Sequence, residues 1–254
     1  MKLLEPLEGP ALVAGEIALL SRRAVAGLFR PPIELRAWVR EMDRIGVRSL
    51  GVAGITSIFT GMVLALQTAY SLPGLGIKYY IGTVVSKSLV RELAPVLVAL
   101  IVGGRIGAGM TAELGSMKVT EQIDALRALA ADPVRKLVVP KLAATLFMLP
   151  ALTIVGDLLG IFGGLLVAVF QLGLTPGFYV NDVLTSLTVD DVASGVGKSF
   201  FFAFFIAMVA CRNGLQVTGG ADGVGRATTN TVVLASILIL ITDFFLTKLF
   251  YLIG

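Results

Sequence analysis

Histidine is absent from the 254 residues of this chain, and cysteine occurs once, as Cys211. One thiol forms no intrachain disulfide, and without histidine there is neither a Ser-His-Asp triad nor a Cys/His zinc site. Hydrolytic and redox enzymes thereby lose most of their usual parts. Charge is scarce as well: 15% of the residues are Asp, Glu, Lys or Arg, where a soluble domain carries about 25%.

Apolar residues fill the space that charge leaves. They make up 56% of the chain, with a mean hydropathy of +0.89, and they fall into long blocks separated by charged stretches. That grouping predicts one membrane domain and no separate soluble module. A net charge of +4 and a pI near 9.3 could suggest nucleic acid. The Lys and Arg residues, however, cluster beside the apolar blocks, where topology and anionic lipid explain them, so nucleic acid is set aside as a partner. Ala11 to Leu20 has the look of a signal-peptide core, but it carries Glu16, follows Glu5 and Glu8, and lacks a small-residue cleavage site; it is expected to be retained.

After Pro31-Pro32, the segment Ile33 to Leu50 places Arg36, Arg40, Arg44 and Arg48 four residues apart, opposite Leu35, Trp38, Met42 and Ile45. This predicts a basic amphipathic helix on a membrane surface, although a solvated face on a packed helix would explain any one arginine equally well. Five spans follow, at about Gly51 to Ala69, Tyr80 to Met110, Leu137 to Leu172, Gly197 to Val217 and Thr231 to Ile253, each near or beyond the ~20 residues a crossing needs. The fold class is thus an all-α integral membrane protein, with N-terminal interfacial helices over 1–50 and a transmembrane domain over 51–254.

Eight Lys and Arg residues precede the first span and six lie between Arg105 and Lys141, against Lys78, Lys87 and Lys198 around the opposite loops. The basic side is expected to be cytoplasmic, with the N-terminus inside and the C-terminus outside. Gly103 and Gly107, and Gly156, Gly160 and Gly164, are spaced by four, a ladder that lets helices approach closely in lipid. Spacing alone leaves open whether the neighbour is in the same chain or in a second copy.

Gly197-Lys198-Ser199 resembles the end of a P-loop, but position 192 is Val and a membrane helix stands where a strand is required, so the motif is rejected. The run Gly219 to Gly225 lacks the pattern of a dinucleotide fingerprint and is read as a flexible loop. Any energy source is therefore expected on another chain. Between the second and third spans, Glu113 to Asp132 is read as a short amphipathic helix, with Val119, Ile123, Leu126 and Ala130 on one side and Lys118, Glu121, Asp124 and Arg127 around the rest. Those four charges are two acids and two bases, a mixture that favours a protein partner over anionic lipid. Asp132-Pro133 suits an N-cap and first turn. Arg91-Glu92 is a charge pair ahead of Pro95 in the second span: a functional candidate, or an anchor at the interface. Asp157 and Asp243 interrupt the third and fifth spans, where interhelix bonding competes with substrate contact as the explanation.

From Leu89 onward the chain resembles the MlaE/YrbE family of permeases. The resemblance rests on Leu89-Val90-Arg91-Glu92-Leu93-Ala94-Pro95, on Gly103-Gly104-Arg105-Ile106-Gly107 with Ala112-Glu113-Leu114-Gly115-Ser116-Met117, and on Thr120-Glu121-Gln122-Ile123-Asp124-Ala125-Leu126 with Asp132-Pro133. Gly156-Asp157, Gly163-Gly164 and Arg226-Ala227-Thr228-Thr229 extend it. It implies a non-catalytic permease subunit of an ATP-driven ABC transporter that moves phospholipids or related lipids and maintains outer-membrane lipid asymmetry.

The implied partners are a second copy of the permease, a cytoplasmic ABC ATPase carrying the ATP and Mg, and a periplasmic MCE-domain protein, with the chain in a bacterial inner membrane. It further implies that a coupling helix at about 113–131 meets the ATPase through Glu113, Gly115, Glu121, Asp124, Ala125 and Leu126, and that Arg91 and Glu92 lie near a lipid cavity. No cofactor or metal is expected on this chain. Two rivals are an ion-coupled secondary transporter with Arg91, Glu92, Asp157 and Asp243 as a relay, and a passive anchor for a lipid-binding protein.

Overall fold

The computed structural model describes residues 5–30, 35–71 and 80–253, and among these every regular element is helical. Pro31, Pro32 and Lys78 lie outside the described residues. The helices are α1 (Glu5–Leu28), α2 (Leu35–Ile45), α3 (Leu50–Ser71), α4 (Ile81–Ser88), α5 (Ala94–Val119), α6 (Gln122–Ala128), α7 (Val139–Phe170), α8 (Pro176–Ser186), α9 (Val189–Leu215) and α10 (Gly220–Ile253). Short π-helical turns, Leu89–Leu93 and Val134–Val138, join α4 to α5 and lead into α7. Five stretches are long and apolar enough to cross a membrane: Leu35–Ser71, Ile81–Val119, Val134–Phe170, Val189–Leu215 and Gly220–Leu252.

The chain forms two compact units. One comprises Met1–Ile45, Gly103–Leu146 and Ala203–Leu238; the other comprises Gly46–Val102, Phe147–Phe202 and Ile239–Gly254. In the first, Ala24, Leu114, Leu142, Met208 and Cys211 form a buried core. Small residues bring its backbones together: a Cβ on Gly115 would stand 2.8 Å from Val217, and one on Gly214 2.7 Å from Leu114. The Thr111 hydroxyl lies 2.9 Å from that of Thr231, which also accepts from Asn213 at 2.9 Å, so these three side chains satisfy one another across helices.

The second unit answers the question left by the glycine ladder. Gly156, Gly160 and Gly163 of α7 face Ser57, Ile58 and Gly61 of α3, so the neighbour is in the same chain. A Cβ on Gly61 or Gly163 would collide with the backbone opposite. In lipid no hydrophobic driving force pushes helices together, so this contact gains from van der Waals packing that only small residues allow. Gly164 makes room for Tyr179, whose hydroxyl donates to the Ile161 carbonyl at 3.2 Å. Burial, and next the nearby Asp182, push the Tyr179 phenol above its ordinary range. Asp182 in turn accepts from the Thr83 amide at 2.8 Å and its hydroxyl at 2.6 Å, fastening α8 to α4.

Three expectations are revised. α8 stands in a stretch read as a loop; Pro176 at its first turn and the Tyr179/Val183 spacing are its signals. The run Gly219 to Gly225 is not a flexible loop: α10 begins at Gly220, and only Gly219 and Gly220 turn the chain, at φ 85° and 69°. Glycine weakens a helix without forbidding one, and Gly223 is needed where its backbone presses on the Thr218 carbonyl. The segment Glu113 to Asp132 is not one helix either. α5 continues to Val119, Glu121 takes a left-handed φ of 58°, α6 spans two turns, and Ala130 is left-handed again at 57°. Asp132 caps the following turn as expected, accepting from the Val134 amide at 3.0 Å.

Candidate functional site

In the second unit the sequence around Arg91-Glu92 builds a charged cluster from a backbone defect. Pro95 has no N–H to give the carbonyl four residues earlier, which is that of Arg91, and the helix widens into a π turn over Leu89–Leu93. The Lys198 ammonium takes up the orphaned Arg91 carbonyl at 3.1 Å. It reaches that far because Gly195, one turn earlier on α9, lets the backbone sit against the Val90 carbonyl where any Cβ would collide. The lysine that mimics a P-loop thus serves charge pairing, and Gly195 before it serves close approach.

Lys198 is 1% exposed and is the hub of the cluster. Its ammonium donates to Glu92 Oε2 at 2.6 Å and to the Thr247 hydroxyl at 2.6 Å, and it lies 3.1 Å from Asp243 Oδ1. That last approach is an ion pair without hydrogen-bond geometry, since Asp243 Oδ1 has no hydrogen-bond partner among the described residues. Arg91 lies 3.4 Å from Asp191 Oδ1 and stacks 4.9 Å over the Tyr251 ring. Two cations thereby face three carboxylates. Charge matching of this kind makes a group in a span tolerable, and it is also where spans handle polar cargo.

The π turn has a second face. Leu93, two residues beyond Arg91, joins Phe59, Thr60, Val63, Leu64 and Gln67 of α3 around an apolar groove of about 330 Å³. Arg91 and Glu92 keep 30% and 37% of their side-chain surface open, so the pair is neither fully buried nor a simple surface anchor. Asp243 belongs to this cluster, whereas Asp157 does not. It is buried on α7, and its Oδ1 has no hydrogen-bond partner among the described residues. Lys198 was missed in the sequence because it was counted with a loop; its position ten residues into α9 is the signal that would have found it.

The first unit carries the other predicted residues. Gly115 is packed inside against Val217, and the Glu113 carboxylate is engaged by Arg44 and by Lys141, the latter at 2.7 Å. Lys141 is 2% exposed and also donates to Glu41 at 2.9 Å, so these charges lock α2 onto α5 and α7. Of the expected ATPase-contact residues, Gly115 is thus buried within this unit, and Glu113 is half-buried with partners in the chain. Asp124 accepts from Lys118 at 2.8 Å and from Arg127 at 2.9 Å. The Lys118 hydrogen bond is the main reason its carboxyl is held below the usual range. Glu121 and Ala125 are exposed and Leu126 is half-buried, while Ile123 anchors α6 inward. Leu129, 79% exposed, was not singled out from the sequence and stands beside them.

Five apolar helical stretches with an ion cluster inside them define an all-α, multi-pass integral membrane protein. Residues 38–249 match the family Permease MlaE, and the chain belongs to that family. A Rickettsia conorii protein named as a probable ABC transporter permease is 43% identical over 237 residues, covering 93% of this chain and 92% of that protein. The Haemophilus influenzae intermembrane phospholipid transport system permease protein MlaE is 37% identical, covering 84% of this chain and 82% of that one. The chloroplast protein trigalactosyldiacylglycerol 1 of Arabidopsis thaliana is 34% identical, covering 92% and 67%.

Proposed function

We propose that this chain is the non-catalytic permease subunit of an ATP-driven ABC transporter that moves phospholipids or related lipids. The observation that carries the reading is the π turn, which sets an apolar groove and an ion cluster back to back. A lipid asks for that combination: apolar walls for a tail, and a few charges close by for its polar end. Arg91 and Glu92 are the residues assigned to that polar end, with Lys198 and Asp243 holding Glu92 in place. The name of the Haemophilus influenzae relative supports phospholipid as cargo, and that of the Rickettsia conorii relative supports an ABC system.

The ATPase, with its ATP and Mg, sits on a separate chain and docks on the cytoplasmic surface made by Glu121, Ala125, Leu126 and Leu129. Left-handed residues at both ends of α6 make it a short lever set between two spans. The family resemblance adds a bacterial inner-membrane location, a periplasmic MCE-domain partner and a homodimer. The exposed apolar side chains Leu240, Ile241, Phe244 and Phe245 of α10 suit the last. Purification in mild detergent, followed by mass spectrometry of what copurifies, tests the reading. An ABC ATPase and bound phospholipid are the expected companions; purification free of any ATPase, with transport driven by a proton gradient, would favour the ion-coupled rival.

A further inference from the structure

The glycine-rich start of α10 and Arg226 take no part in the transport reading. Within the first unit, α1, α9 and α10 line an open cavity of about 500 Å³. Its floor is made where Gly223 sits tightly on the Thr218 carbonyl, and its long wall is a single stripe of α10. That stripe runs Arg226, Asn230, Val233, Ile237, residues spaced so as to stack along one face over roughly 16 Å. It therefore passes from charged through polar to apolar along the helix. Leu234 widens the apolar half and Thr218 adds a hydrogen-bonding group to the polar half, whereas the Gln216 amide is already given to Glu16.

The two arginines in this wall differ. Arg212 is already spent: Glu16 accepts from Nε at 2.9 Å and from a second nitrogen, and Asn213 Oδ1 accepts from Nη1 at 3.0 Å. The Glu16 carboxyl is correspondingly held low, chiefly by that Arg212 hydrogen bond. Arg226, exposed and one turn beyond Asp222 on α10, forms no ion pair among the described residues, so its guanidinium is the one in this wall open to a ligand. A guanidinium presents a fork of donors that matches phosphate oxygens. A free phosphate compound would satisfy the fork but leave the apolar half of the stripe without an occupant.

We propose that this cavity binds the headgroup of an anionic glycerophospholipid, with Arg226 on the phosphate, Asn230 beside it, and one acyl chain lying along Val233 and Ile237. The site is separate from the Arg91 cluster, and it rests on the membrane reading and not on the transport reading.

The test uses the full chain in nanodiscs of phosphatidylcholine with or without a tenth of phosphatidylglycerol. Retained lipid is read by native mass spectrometry and stability by the thermal midpoint. The wild type is expected to retain phosphatidylglycerol and to gain in midpoint when it is present. Arg226→Gln is expected to lose that retention roughly tenfold or more and to lose the gain, while matching the wild type in phosphatidylcholine alone. Arg226→Lys should fall between the two. If Arg226→Gln does not fold, the wild type still decides, because its preference for phosphatidylglycerol should collapse between about 0.05 and 0.5 M salt, over which the Debye length shortens about threefold.

Wild-type retention in Arg226→Gln, or indifference of the wild type to headgroup charge, overturns the proposal. So does full displacement of the lipid by millimolar glycerol 3-phosphate, which would assign the cavity to a soluble phosphate compound. A change of oligomeric state in Arg226→Gln with unchanged lipid retention overturns it in favour of a second copy.

Discussion

Replacing Lys198 with Met keeps the length of the side chain and removes the hub of the charged cluster. Glu92, Asp243 and Thr247 would lose their shared ammonium, and the Arg91 carbonyl, already orphaned by Pro95, would lose the Lys198 donor. Deleting one partner of a buried ion pair costs about 3–5 kcal/mol. An unsatisfied carbonyl costs a further ~1–3 kcal/mol, but the two losses share one group and do not add. Glu92 is 37% exposed and recovers some solvation, which places the expected loss near the lower end, about 3 kcal/mol. For a chain of this size that is roughly 6–12 °C in thermal midpoint. The assay is thermal unfolding in detergent, followed by fluorescence-detected size exclusion. The triple variant Lys198→Met, Glu92→Gln, Asp243→Asn should regain much of the loss, because neutral partners no longer need the ammonium. A single variant within about 2 °C of wild type, or a triple variant less stable than the single, would refute the reasoning.

Other outcomes follow from the same geometry. Glu121→Lys with Leu129→Glu is expected to abolish ATPase copurification while shifting the thermal midpoint little, because both side chains are exposed; unchanged copurification would move the docking surface elsewhere. Gly163→Val should destabilise by about 1–3 kcal/mol or more, since the new side chain meets the Ile58 carbonyl across the α3–α7 contact; a neutral result in thermal unfolding would contradict that packing. Asp124 has a lowered folded pKa, so its stabilising contribution is present above the unfolded value of about 3.9 and is lost as pH falls through the folded one. Hydrogen exchange of residues 118–128 should accordingly hold steady from pH 8 to about pH 5 and loosen only below about pH 4, whereas loosening near pH 6 would exclude Asp124 as the cause.

The spans were legible because long apolar blocks report burial in lipid directly, and the α3–α7 contact was half legible because glycine spacing marks a close approach without naming the partner. The charged cluster was less so. Arg91, Glu92 and Asp243 declare themselves as charges in apolar runs, but Lys198 lies near a predicted span end, beside glycines that suggest a phosphate loop. Only the packing of Gly195 on Val90 explains why glycine and lysine stand there. The lever between the second and third spans was read as continuous because apolar spacing runs through it. The breaks at Glu121 and Ala130 are backbone conformations that a non-glycine residue does not advertise. The partners of Glu113 were hidden for a related reason: Arg44 and Lys141 are 69 and 28 residues away, and periodicity carries no information on such pairings.

The most direct test of the account is lipid transfer by the purified permease reconstituted with its copurifying ATPase, using fluorescent phospholipid in donor and acceptor liposomes. Transfer that requires ATP hydrolysis, and that Arg91→Ala or Glu92→Ala reduces without loss of the assembly, is the predicted result. Transfer at the same rate without ATP, or at the same rate in both variants, would contradict it.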